Sequence, residues 1–294
     1  MGLFSKPEVI ILKESNDSKN YLEKLQELLS KASGEVATKI EKEIAIVKAG
    51  IVGEENILFE LKNSGLDLVV LHDLYIKSAS GLTAQIDFLV LTPKYFYVIE
   101  CKNLVGDIEL KNSGEFVRTF CVGNKTFKEG IYSPLTQNYR HLNVLKECRS
   151  ENSNFIIKAL QDSNFSDVFK GVVVLANPKT IINDRWAKKD DKEKVIRADQ
   201  LINYIKKLNN DSKDFSLSLK RLEEIGRRYL EMNNEERPDY LAKYEELLKE
   251  SENKMICPNC GGELILRTAK HGNYAGNQFY GCSNYPECKF IKNI

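Results

Sequence analysis

The sequence predicts an α/β protein with a central mixed sheet flanked by helices, then a charged helical linker and a small zinc-ribbon-like finger. Three observations carry that prediction. A dense run of β-branched and aromatic residues, 85–103, is broken only at Thr92-Pro93-Lys94, as in a β-hairpin. Helical periodicity stands on both sides of it in the chain. Four of the seven cysteines cluster near the C-terminus.

The elements follow in order. Residues 9–12 read as a short strand. Tyr21, Leu22, Leu25, Leu28 and Leu29 recur at helical spacing, with Asn16 and Ser18 as candidate caps. A second helical pattern runs from about 33 to 61, its apolar face traced by Ile40, Ile44, Val47, Ile51, Leu58 and Leu61. Glu54 falls on that face, and Gly50 and Gly53 permit close approach of another backbone. Residues 68–76 are a strand by composition, with His72 read as a polar strand-end residue rather than a base. The hairpin is apolar on both faces and so belongs in a covered, central part of the sheet.

Short strands at 106–110, 114–120 and 125–127 predict an antiparallel extension beside the hairpin. Ser133 caps and Pro134 opens a helix on which Gln137, Arg140 and His141 share a face. Residues 168–178 form a buried strand, and 194–208 a strand followed by a helix. Residues 216–254 are helical and highly charged, split by Pro238. The expected division is a helical segment over 1–40, an α/β domain over 41–210, a linker over 211–253 and a finger over 254–294.

Three charges interrupt the hairpin: Asp87, Glu100 and Lys102. Alternation along a strand puts Glu100 and Lys102 on one face, and Asp87 comes level with them from the partner strand. Burying two carboxylates and one ammonium costs several kcal/mol unless they are paired or metal-bound. A hard cation such as Mg²⁺ or Mn²⁺ suits two carboxylates, with the lysine orienting a water and neutralising charge. The other reading is a buried salt bridge that serves only the fold.

The run TAQIDFLVLTPKYFYVIECKN resembles the nuclease-related (NERD) domain of the PD-(D/E)XK nuclease superfamily, with Asp87 as first acid and Glu100-Cys101-Lys102 as the E-x-K. The segments GIVGEENILFEL and SPLTQNYRHL resemble the same family's opening helix and its Gln-Asn-x-x-His helix. The resemblance implies a restriction-endonuclease-like core and a site completed by Glu54 and Gln137; Arg140, on the same helix face as Gln137, is read as a phosphate contact.

Charge is balanced, 43 basic against 42 acidic residues, so attraction to nucleic acid must come from a local patch. No apolar run is long enough to span a bilayer, and no leader cleavage site is evident, so a cytoplasmic location is expected.

Cys257, Cys260, Cys282 and Cys288 form two pairs suited to tetrahedral Zn²⁺, with no open position and hence a structural role. CPNCGGELILR and FYGCSNYPEC resemble the C4 zinc finger of type IA DNA topoisomerases, which implies single-stranded DNA binding. Arg267 and Lys270 offer phosphate contacts, and Tyr280 and Tyr285 offer stacking faces. The expected function is a metal-dependent nuclease acting on DNA. The alternative is a catalytically inactive nucleic-acid binder on the same scaffold.

Overall fold

A computed structural model describes residues 6–15, 17–151, 163–253, 255–272 and 274–294. The candidate cap Asn16 lies outside them. The chain divides into two compact units: residues 1–22 with 45–238, and residues 23–44 with 239–294.

The first unit is built on a six-stranded mixed sheet in the order β1-β2-β3-β4-β8-β10. Its strands are β1 (Val9–Lys13), β2 (Leu68–Lys77), β3 (Thr83–Leu91), β4 (Phe96–Lys102), β8 (Phe169–Leu175) and β10 (Val195–Arg197). The predicted hairpin is β3–β4, closed by the Thr92 N–H donating to the Tyr95 carbonyl at 2.9 Å. It sits at the centre of the sheet because its side chains are apolar on both faces and each face is covered. On one face Phe88, Val90, Tyr97 and Ile99 pack with Ile57 and Leu61 of α2 (Gly34–Lys62) and with Leu201 and Ile205 of α6 (Leu201–Asp211). On the other, Leu89, Leu91, Phe96 and Val98 pack with Val144 and Leu145 of α3 (Pro134–Ser150) and with Leu222 and Tyr229 of α7 (Leu219–Leu230). The sheet is therefore sandwiched between helices, as a sheet buried on both faces requires.

Two features shape the middle of this sheet. First, alternation fails beside Asp87: Ile86 and Leu89, three residues apart, both join the α3 side, while Phe88 joins the α2 side. Leu71 and Leu74 of β2 show the same step around Asp73, whose φ of 58° is left-handed. Aspartate tolerates that conformation better than most residues. Second, β3 and β4 stop pairing at Phe88↔Ile99 although both strands continue. Beyond that point β3 runs along β2 and β4 along β8, ending at Lys102↔Leu175. The two central strands thus fork, with Asp87 and Glu100 at the next opposing position.

The strands after β4 do not extend the central sheet. β5 (Asp107–Leu110), β6 (Phe116–Val122), β7 (Lys125–Ile131) and β9 (Ile182–Asn183) make a separate four-stranded sheet in the order β7-β6-β5-β9. Ile108, Leu110 and Phe116 cluster with Val173 and Leu175 of β8, so this sheet joins the first through side-chain packing. Short helices α4 (Phe165–Val168) and α5 (Lys189–Lys192) flank β8 and β10 in the chain. After α7 the chain returns to β2: the Asn234 N–H donates to the Tyr75 carbonyl at 2.7 Å, and the Tyr75 N–H to Asn233 Oδ1 at 3.1 Å. Arg237 donates to Asp73 Oδ1 at 2.9 Å and stands 3.3 Å from Asp17.

Helix α1 (Asp17–Lys31) gives the second unit most of its length, with Leu25 fully buried there. That unit also holds the first part of α2, helix α8 (Ala242–Asn253) and the C-terminal finger. Ile40, Tyr244 and Leu248 are buried in it, and Lys243 Nζ lies 3.9 Å from Glu43. The finger is a three-stranded antiparallel sheet of β11 (Leu264–Thr268), β12 (Gln278–Cys282) and β13 (Ile291–Asn293).

Candidate functional site

The fork between β3 and β4 gathers the predicted acids and lysine. Glu100 is 1% exposed. Lys102 Nζ donates to its Oε1 at 2.5 Å, so the two share a face as alternation requires. Its Oε2 is buried without a hydrogen bond among the described residues, although His141 Nδ1 of α3 stands 3.2 Å away. Asp87 Oδ2 accepts the Cys101 backbone N–H at 2.7 Å, a donor that the opened strand pair has left free.

The electrostatics follow from this crowding. Burial, then the charges of Glu100 and Glu54, push the Asp87 carboxyl well above its ordinary range. Burial pulls the Lys102 ammonium down, but Glu100 and Asp87 outweigh it, so Lys102 lies above the usual lysine value and stays charged. Burial, then Asp87 and Glu54, raises the Cys101 thiol, which makes it an inert neighbour rather than a nucleophile.

Glu54 arrives from α2. Gly53 lets the helix in: a Cβ there would stand 2.7 Å from the Asn103 Cβ. Gly50, also expected to allow close approach, has open space around it. Asn103 Nδ2 donates to the Ala49 carbonyl at 2.7 Å and pins the helix to the end of β4. Glu54 Oε2 lies 2.9 Å from His72 Nε2. The Ser15 backbone N–H donates to His72 Nδ1 at 3.4 Å, so Nε2 carries the hydrogen and donates to Glu54. The His72 ring stacks on Phe88 at 4.7 Å. His72 therefore lies in the body of β2, not at a strand end.

Gln137 is half-buried on α3, one turn before His141, with no side-chain hydrogen bond to another described residue. Asn138 beside it is buried and donates to the Val98 carbonyl at 2.9 Å, which fixes the helix over β4. Arg140 is exposed, its guanidinium 5.5 Å from the Tyr132 ring centre. Of the two histidines that touch the acids, His72 reads in the sequence as a polar strand-end residue, and His141 falls on the face of α3 with Gln137 but is given no role. Their signal was rarity: His72 and His141 are two of only three in the chain.

The acids fit a hard divalent cation on one count, because Glu100 has a buried oxygen without a donor and a second carboxylate stands at the opposing position. With Glu54 they do not form a three-ligand group as close as the cysteines. Among the described residues, the only group of three or more potential ligands whose atoms all lie within 4.8 Å of one another is Cys257, Cys260, Cys282 and Cys288.

In that group Cys257 Sγ is 3.6 Å from Cys288 Sγ, and Cys260 Sγ is 3.3 Å from Cys282 Sγ. Thiolates bound tetrahedrally to zinc at about 2.3 Å stand roughly 3.8 Å apart, so the cage fits structural Zn²⁺ and the spacing is far too long for disulfides. Gly261, at φ 73°, makes the turn after Cys260. The Asn284 N–H donates to Cys282 Sγ at 3.4 Å. Of the expected DNA contacts, Lys270 and Tyr285 are exposed. Tyr280 packs against the cysteine cluster. Arg267 donates to the Cys282 carbonyl at 3.1 Å and lies 5.9 Å from the Tyr285 ring centre.

Among the described residues, no helix is long and apolar enough to cross a membrane. Residues 49–176 match the family described as the nuclease-related domain. Residues 254–294 match the topoisomerase DNA binding C4 zinc finger. DNA topoisomerase 1 of Archaeoglobus fulgidus is 59% identical over 34 residues, 12% of this chain and 4% of that protein. DNA topoisomerase 1 of Methanocaldococcus jannaschii is 49% identical over 43 residues, 15% of this chain and 5% of that one. Uncharacterized protein YrdD of Escherichia coli is 45% identical over 42 residues, 14% of this chain and 21% of that one. The matched stretch is thus a small part of each relative, and it falls in the finger region. No solved structure matches the chain. The chain carries a nuclease-related domain and, C-terminal to it, a topoisomerase-type C4 zinc finger.

Proposed function

We propose that the chain is a Mg²⁺- or Mn²⁺-dependent nuclease that hydrolyses phosphodiester bonds in DNA, with a finger that binds single-stranded DNA. The observation that carries the reading is Glu100: a carboxylate 1% exposed, one oxygen held by Lys102 and the other without a hydrogen bond, across a strand fork from Asp87. A core of the PD-(D/E)XK kind is part of this reading. An acid on β3 and Glu-x-Lys closing β4 support it.

Asp87 and Glu100 would hold the ion. When bound, such an ion polarises a phosphoryl oxygen and makes a bound water a better nucleophile. Lys102 keeps its charge and is 27% exposed, so its ammonium can both orient a water and meet negative charge developing on phosphorus. Glu54 is held in one orientation by His72 and adds a third acid beside Asp87. Gln137 offers an uncommitted amide from α3 for a water or a phosphate oxygen. Exposed Tyr285 and Lys270 on the finger suit an unpaired base and a phosphate. Cysteines used as metal ligands or left as free thiols go with a reducing, cytoplasmic setting.

The test is incubation with single- and double-stranded DNA under each metal, beside Asp87→Asn. Cleavage by the parent alone supports the enzyme. Binding without cleavage under every metal supports the second reading, an inactive nucleic-acid binder on this scaffold. One observation favours that second reading: Asp87, Glu100 and Glu54 do not form a three-ligand group as close as the zinc ligands.

A further inference from the structure

We propose that Tyr132 and Arg140, beside the helix α3 that brings His141 to the β3–β4 fork, form a clamp for an unpaired nucleic-acid strand, the ring taking a base and the guanidinium a phosphate. This rests on the nuclease reading of that fork.

Tyr132 is the single residue between the end of β7 and Ser133, the cap of α3. Tyr132 is 57% exposed, a poor use of a large aromatic side chain if packing were its task. The Arg140 guanidinium stands over it, 5.5 Å from the ring centre. Arg140 has no carboxylate partner among the described residues, so its charge is free for an anion. The next residue, His141, puts its ring 3.2 Å from Glu100. The clamp is therefore one residue removed from a side chain that touches a candidate metal ligand.

The backbone around the clamp is anchored. Ser133 Oγ accepts the Thr136 N–H at 3.3 Å, and Asn138 ties the same turn of helix to β4 at 2.9 Å. A ring and a guanidinium in this arrangement match a nucleotide, which presents a flat base and an anionic phosphate. The base must be unpaired: in a duplex the base faces are covered by their neighbours, so a duplex would reach Arg140 but leave Tyr132 idle. The fork would then prefer single strands, flaps or frayed ends over intact duplex.

The experiment uses the full chain with Asp87→Asn to block cleavage, and oligonucleotides carrying the fluorescent base 2-aminopurine at successive positions. Stacking quenches that base. Tyr132→Ala is expected to weaken single-strand binding about tenfold and to abolish quenching at one position. Tyr132→Phe keeps both, and duplex binding is unchanged in either. In the cleaving protein, Tyr132→Ala raises KM for single strands about tenfold while kcat holds. No quenching in the parent, or the same quenching in Tyr132→Ala, overturns the clamp. If the parent cleaves and Tyr132→Ala keeps its KM and quenching, the clamp falls and the nuclease reading stands. If the parent cleaves nothing with either metal yet Tyr132→Ala loses quenching, the nuclease reading falls and the clamp remains as the strand site of a binding protein.

Discussion

Asp87 Oδ2 accepts the backbone N–H of Cys101 across 2.7 Å, so the first acid of the fork also satisfies a donor that the parted strands would leave bare. Two roles in one side chain can be separated. Asp87→Asn keeps an oxygen acceptor and loses the charge. It is expected to fold normally and to lose about a thousandfold in cleavage rate, the several kcal/mol that a bound ion contributes. Asp87→Ala should lose cleavage equally and also about 1–3 kcal/mol of stability, through the unpaired N–H. Denaturant melts of the two variants tell them apart; equal stability would show that the hydrogen bond contributes nothing.

His72 should act on the site through Glu54. Glu54 stands beside Asp87, and losing an outer partner that orients a carboxylate near bound metal usually costs about 10–100-fold in metal affinity. His72→Ala is expected to weaken Mn²⁺ binding by that range in a calorimetric titration. His72→Gln, which can still donate to Glu54, should recover part of it. Identical affinity in all three proteins would make His72 a packing residue only.

Stability should depend on pH through Asp87. Burial, Glu100 and Glu54 hold its carboxyl well above the ordinary 3.8. The folded, metal-free protein therefore keeps that proton where the unfolded chain has released it. The resulting stabilisation is complete below the ordinary value and fades as pH rises through the folded-state value. Asp87→Asn has no such proton to lose. In EDTA it should melt above the parent at neutral and alkaline pH, with the gap closing toward acid. Added Mn²⁺ should raise the parent alone. Melting curves at successive pH values check this, and a gap independent of pH contradicts it.

Lys102 partners a carboxylate that is 1% exposed. Lys102→Ala leaves the buried Glu100 with only the His141 ring beside it, at a cost of about 3 kcal/mol. Lys102→Arg should keep most of the stability while slowing cleavage, because its planar fork places charge differently. Chemical denaturation and cleavage assays on both variants give the two effects side by side.

Zinc removal should act on the finger alone. A strong chelator is expected to unfold residues 255–294 and to abolish single-strand binding by the finger, since so small a sheet depends on its ion. Near-stoichiometric zinc by elemental analysis, lost in Cys282→Ser, is the check.

Much of this fold was legible as pattern. The helix expected over 33–61 is Gly34–Lys62, and Ser133 and Pro134 start α3 as their chemistry requires. Periodicity and capping are local signals, and these elements obey them. The misses are non-local. The strands after β4 close on β9, far along the chain, so no local pattern shows that they leave the central sheet. Strict alternation also fails at Asp73, which is left-handed, and at Asp87 opposite it in β3. The acids and lysine were visible as charges in an apolar run. His141 was placed on the right helix face, but its approach to Glu100 depends on how α3 lies over β4, which Asn138 and the Val98 carbonyl decide.

The return of residues 233–237 to β2 has a practical consequence for anyone dividing this protein. The family match ends at residue 176. A fragment cut there would lack β10, α6 and α7, and the inner strand edge at Tyr75 would be stripped of the backbone that now covers it. Such a fragment would expose apolar sheet on both sides and a bare edge for its copies to pair with, so insoluble expression is the expected result. A fragment carried through Pro238 retains Arg237 against Asp73 and should stay in solution.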